Sequence, residues 1–96
     1  SSYNRGARLF YPPIFLLLDY ILKQAALMDI EKKKEIVIQK TRQELYEECG
    51  ITVKTLGRTI NKLKEDGVIS LKKGKITMTL EQYHLARKTI HHYVNY

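Results

Sequence analysis

The sequence predicts a mainly helical α+β domain, built on a helix-turn-helix with a β-hairpin after it. Three observations carry this expectation. Residues 41–66 read as two short helices that meet at Gly50, residues 68–79 alternate as two short strands around a Lys-Lys-Gly turn, and apolar residues keep a helical period near both ends of the chain. A length of 96 residues, 44% of them hydrophobic, suits one domain with a single modest core.

In chain order, residues 1–11 are polar and basic, with Arg5, Gly6 and Arg8, and are expected to connect to something upstream. There is no initiator Met, and Ser1-Ser2-Tyr3-Asn4 reads as a fragment of a longer chain. Pro12 and Pro13 suit the first turn of a helix, where a missing N–H costs little. That helix should reach about Asp29, on the period of Ile14, Leu17, Leu18, Ile21, Leu22, Ala25 and Met28. Phe15, Leu16, Tyr20 and Leu27 widen its stripe almost all round, which implies deep burial or a second packing surface such as a neighbouring domain or a dimer partner. Ile30 to Lys34 is expected to be a charged, solvated connector, and Glu35 to Gln39 a short strand.

Thr41 opens the first helix of the central pair as an N-cap, with Glu44 completing a capping box. Gly50 ends it, because a left-handed residue there costs glycine nothing. Thr52 caps the second helix, to about Asp66, in which Leu56, Ile60 and Leu63 form the apolar stripe. Lys54, Arg58 and Lys62, each four apart, make a basic ridge outside it. Gly57, inside this helix, costs roughly 1 kcal/mol relative to Ala; close packing on the preceding helix is the favoured explanation, close approach to DNA the other. The hairpin over 67–79 carries Lys72, Lys73 and Lys75 at its tip, and residues 80–95 close the chain as a helix with Tyr83, Ala86 and Ile90 on one side.

The formal net charge is +7 and the sequence pI about 9.6, so a polyanion is the natural partner. From Ile51 to Lys75 there are seven Lys or Arg against two acids. One cysteine, Cys49, allows no disulfide framework, fits a reducing cytoplasm, and reads as a small core residue. The longest apolar run, Ile14 to Leu18, is far too short to cross a membrane. His84, His91 and His92 lack the spacing of a metal site, and no nucleophile–base set or Gly-rich phosphate loop stands out, so neither a metal, a cofactor nor an enzyme is expected.

The order helix, strand, helix, helix, hairpin is that of a winged helix-turn-helix, with the hairpin as wing. Lys-Thr-Arg-Gln-Glu-Leu at 40–45, Gly50, Lys-Thr-Leu-Gly-Arg-Thr-Ile at 54–60 and Gly67-Val68-Ile69 resemble the DNA-binding domain of the Crp/Fnr family of bacterial transcription regulators, over roughly residues 14–79. The resemblance implies an upstream effector-sensing domain, for a small molecule such as a cyclic nucleotide, and a long dimerisation helix; the sensing domain and most of that helix are expected to lie outside this chain. It also implies a homodimer of the full-length protein, double-stranded DNA as partner, and RNA polymerase as a further one. Under it, the residue matching Arg58 reads a guanine, and Thr41, Arg42, Gln43, Thr52 and Thr55 touch phosphates. Val53 and Lys54 depart from the family's usual Arg and Glu, so its best-known operator does not carry over.

The side-chain chemistry agrees with these roles. Arg58 offers a planar fork to guanine O6 and N7, where a plain solvated arginine is the alternative. Lys54 suits a phosphate or a guanine, and Val53 a thymine methyl or partial packing. Thr52 and Thr55 serve as cap and backbone anchor, and Arg42 and Gln43 begin a helix whose N-terminus favours an anion. Lys62, Lys72 and Lys73 are expected as phosphate contacts that add salt dependence. The function expected is therefore sequence-specific duplex DNA binding for transcription regulation, with helix 52–66 in the major groove and the wing on phosphates. The alternatives are a winged-helix protein-interaction module, which would want an apolar or acidic face where this one is basic, and RNA binding, for which the helix has no stacking aromatics.

Overall fold

A computed structural model describes residues 11–96; most of the expected connection over residues 1–11 lies outside them. Helix α1 runs Pro13–Leu27, with Pro13 in the first turn and Pro12 in extended backbone before it. It stops two residues short of the expected Asp29, because Asp29 takes a left-handed conformation (φ 62°) and turns the chain. The segment read as a solvated connector holds instead a single-turn helix, α2 (Ile30–Lys33), pinned by the buried Ile30 and ended by a left-handed Lys34.

Strand β1 (Glu35–Val37) is shorter than the 35–39 expected, although the Ile38 amide still donates to the Ile76 carbonyl at 2.8 Å. Helices α3 (Arg42–Cys49) and α4 (Val53–Glu65) follow, then β2 (Ser70–Lys72), β3 (Lys75–Thr79) and α5 (Leu80–Thr89). The final helix was expected to continue to the chain end; after Thr89 it tightens into a 3-10 turn, Ile90–Tyr93. The sheet is three-stranded and antiparallel in the order β1-β3-β2, with Ile36 opposite Met78 and Leu71 opposite Ile76. A mainly helical winged helix-turn-helix is therefore the fold, with a third strand joining the wing.

The core gathers one face of each element. Leu17, Leu18 and Ile21 of α1 meet Leu45 of α3, Leu56, Ile60 and Leu63 of α4, and Ile76 and Met78 of β3 in one buried cluster. Removing such side chains from water is the main stabilising term. The wide stripe of α1 is only partly consumed: Phe15, Leu16, Tyr20 and Leu22 are partly buried, and Leu27 is 80% exposed. Two side-chain bonds brace the framework from outside. The Tyr20 hydroxyl of α1 donates to Glu48 of α3 at 2.5 Å, and Tyr93 of the terminal turn donates to Asp66 at the end of α4 at 2.6 Å. Among the described residues no helix is long and apolar enough to cross a membrane.

Candidate nucleic-acid interface

The interface begins with two capped helix starts. The Thr41 hydroxyl accepts from the Glu44 amide (3.1 Å) while the Glu44 carboxylate accepts from the Thr41 amide (2.8 Å), closing the capping box. The same arrangement sits on α4 in simpler form, where the Thr52 hydroxyl accepts from the Thr55 amide at 3.2 Å. Between them Gly50 adopts φ 75°, so the chain turns within a few residues from α3 into α4. Thr52 and Thr55 are thus occupied with each other, their hydroxyls 2.9 Å apart.

On α4 the buried residues are Leu56, Thr59, Ile60 and Leu63. The opposite surface carries Lys54 and Arg58, both exposed, and neither forms an ion pair with another described residue. Val53, in the first turn, is 59% exposed, one of few large apolar side chains left open to solvent. That exposure leaves the larger part of its side chain open and the rest covered. Lys62 does not continue the ridge. It is half-buried, pairs with Asp66 at 3.2 Å and lies 5.8 Å from the Tyr96 ring centroid. The Asp66 contact and then the Tyr96 hydroxyl push its ammonium above the ordinary lysine value. Thr55, Arg58, Thr59 and Lys62 line an open groove of about 400 Å³ with Pro12, Pro13 and Tyr96.

The wing is built by a two-residue turn. Lys73 (φ 52°) and Gly74 (φ 78°) are both left-handed, which is the geometry that matches the twist of the flanking strands. Lys73 therefore projects from the tip, exposed. Lys72 is drawn back onto Glu35 at 2.7 Å, and Lys75 donates to Gln39 at 3.0 Å. Arg42, in the first turn of α3, donates to the Gly74 carbonyl at 3.0 Å and so ties the first helix of the pair to the wing. Gln43 turns to Glu47, donating at 3.0 Å.

These contacts enclose a notch of about 210 Å³ between the start of α3 and the wing, lined by Lys40, Thr41, Arg42, Lys73 and Lys75 with Ile38, Leu45 and Ile76 below. The structure thus separates the candidate residues into two groups. Val53, Lys54 and Arg58 share the outer surface of α4, while Thr41, Arg42 and Lys73 meet at the notch. Lys62 and Lys72 belong to neither, being paired with carboxylates. Lys40 and Lys75, absent from the sequence-based set of phosphate contacts, complete the notch. The signal for Lys40 was faint, since it precedes the cap and its charge is shared with Glu48 at 3.4 Å. Among the described residues no cluster of His, Cys, Asp or Glu could hold a metal ion.

In comparison with known proteins, a family model described as a Crp-like helix-turn-helix domain matches residues 16–83. No curated protein and no solved structure matches the chain.

Proposed function

This chain belongs to the Crp-like helix-turn-helix domain family, and we propose that it binds duplex DNA in a sequence-specific way, as the reading part of a transcription regulator. The observation that carries the proposal is the basic surface that α4 and the wing present. Lys40, Lys62 and Lys72 are paired with carboxylates, whereas Lys54 and Arg58 on the outer surface of α4, and Lys73 at the wing tip, are exposed without an ion pair among the described residues. Lys32, Lys33, Lys34, Lys64 and Lys88 are likewise exposed without an ion pair, so what favours a polyanion is the placing of these three charges on the outer surface of α4 and at the wing tip.

In this reading α4 enters the major groove N-terminus first. Arg58 donates both arms of its fork to a guanine, Lys54 reaches a guanine or a phosphate, and Val53 lies against a thymine methyl. Thr41, Arg42, Lys73 and the neighbouring Lys75 hold phosphates, setting register without reading sequence. Two copies, paired through an upstream part, would address half-sites about one helical turn apart.

The test is fluorescence anisotropy on a duplex selected from a random library, beside an unselected one, at several salt concentrations. Arg58→Ala is expected to weaken the selected duplex by about 1–3 kcal/mol while leaving the salt slope nearly unchanged. Equal binding of both duplexes by both proteins would reduce the surface to a nonspecific basic patch. An absence of binding at low salt would reject DNA as the partner.

A further inference from the structure

One flank of α4 is bordered by residues that the family match, 16–83, does not reach. At about 100° per residue, and with Val53 taken as zero, Lys54 and Arg58 stand at roughly 100° and 140° on this helix, with Lys62 and Thr55 beside them at roughly 180° and 200°. Against that flank lie Pro12 and Pro13, ahead of the matched residues, and Tyr96, beyond them. Together they close the groove of about 400 Å³ that Thr55, Arg58 and Lys62 line from the side of α4. On the opposite flank, a Cβ built on Gly57 meets no atom within 4 Å among the described residues, so close packing on the preceding helix does not explain that glycine.

The fold fastens Tyr96 at the groove without covering it. Its ring centroid lies 5.8 Å from that of Tyr93 and 5.8 Å from the Lys62 ammonium. The Tyr93 hydroxyl donates to Asp66 at 2.6 Å, and Asp66 pairs with Lys62 at 3.2 Å. Four side chains thus form a closed circuit that ties the chain after α5 to the end of α4. Tyr96 is nevertheless 65% exposed, so most of its surface faces whatever enters the groove.

The chemistry of the lining fits one kind of occupant. Two cations, Arg58 and Lys62, stand in a surface that is otherwise mostly apolar, and no carboxylate of the described residues lines it. Asp66 takes one of the three ammonium protons of Lys62 and leaves donors for an incoming anion. A DNA strand offers the matching pattern, apolar sugar faces alternating with anionic phosphates. An α-helix with its side chains is about 10–12 Å across and the major groove about 12 Å wide, so the flanks of a helix seated there come up against the backbone.

We propose that the groove between Pro12-Pro13, the flank of α4 and Tyr96 seats the sugar–phosphate backbone of one DNA strand, with the Tyr96 ring on a deoxyribose and Lys62 toward the adjoining phosphate. Lys62, which joins neither of the two groups described above, finds its use here. The inference rests on the DNA-binding reading and adds a backbone contact made from outside the matched residues.

The experiment compares the whole chain as wild type, Tyr96→Ala and Tyr96→Glu. It records melting temperature, anisotropy on the selected and unselected duplexes, and interference by ethylated phosphates on the selected one. Backbone contacts do not read sequence, so Tyr96→Ala is expected to weaken both duplexes alike, by about three- to ten-fold, and Tyr96→Glu to weaken them further by setting a carboxylate against a phosphate. The melting temperature is expected to stay near that of the wild type, since the residue is largely exposed. At least one phosphate whose ethylation blocks the wild type is expected to be tolerated by Tyr96→Ala. Wild-type affinity in both variants overturns the inference and leaves DNA binding standing. Weakening confined to the selected duplex also overturns it, by moving Tyr96 from backbone to base. So does a lowered melting temperature with an unaltered interference pattern, which returns the tyrosine to the service of the fold. Failure of the wild type itself to bind at low salt rejects the underlying reading.

Discussion

Thr77 sits in the middle of β3, 1% exposed, and its hydroxyl has no hydrogen-bond partner among the described residues. A buried hydroxyl without a partner loses its water and gains nothing for it. Thr77→Val keeps the shape and removes the orphan oxygen, and is expected to stabilise the protein by about 1 kcal/mol in chemical denaturation; an unchanged midpoint would show that the hydroxyl is satisfied after all. The sequence hid this residue because Ile76-Thr77-Met78-Thr79 alternates as a strand with one wet face. Residues Ile76, Thr77 and Met78 are all buried, since β3 is the central strand between β1 and β2. Cys49 was more legible. It is half-buried, and burial, helped by the charge of Glu48, pushes its thiol up to about 11, so it is an inert packing residue near neutral pH.

At the scale of elements, the two central helices were readable because their ends are written in local chemistry: Thr41 with Glu44, Gly50, and Thr52 all take the roles their types predict. The turn of α2 was not, since four residues show no period and its lysines resemble a loop; only the burial of Ile30 marks it. Within the wing, Lys73 occupies a left-handed position that asparagine or glycine takes more readily. Lysine in that position carries a conformational penalty of about 1–2 kcal/mol. Its presence there agrees with a use for the charge. Lys73→Asn is expected to raise the melting temperature while lowering the slope of log affinity against log salt by about 0.9, the value of one phosphate contact. A variant that is stabilised with an unaltered slope would take Lys73 off the DNA.

Across the whole molecule, the tie between α1 and α3 makes stability depend on pH. The Tyr20 hydroxyl, and then Lys40, hold the Glu48 carboxyl below its ordinary value against some opposing desolvation. A carboxylate with a depressed folded-state pKa contributes stability that is present above its unfolded value and is lost as pH falls through the folded one. Burial, and then the bond to Glu48, push Tyr20 upward, so on the alkaline side its contribution fades as pH rises from the ordinary tyrosine value. Tyr20→Phe is expected to flatten the acid limb of a stability–pH curve measured by urea denaturation between neutrality and pH 3. An acid limb identical to the wild type would assign it to other carboxylates. None of this was visible in the sequence, where Tyr20 and Glu48 stand 28 positions apart on helices whose relative rotation only packing decides.

The hydrogen bond from Arg42 to the Gly74 carbonyl ties the start of α3 to the tip of the wing. Under the proposed DNA binding, a duplex touching both would bring its backbone to a position set in advance by the protein. Stiff sequence there resists the adjustment and compliant sequence yields, so bases that no side chain touches still enter the affinity through the elasticity of the DNA.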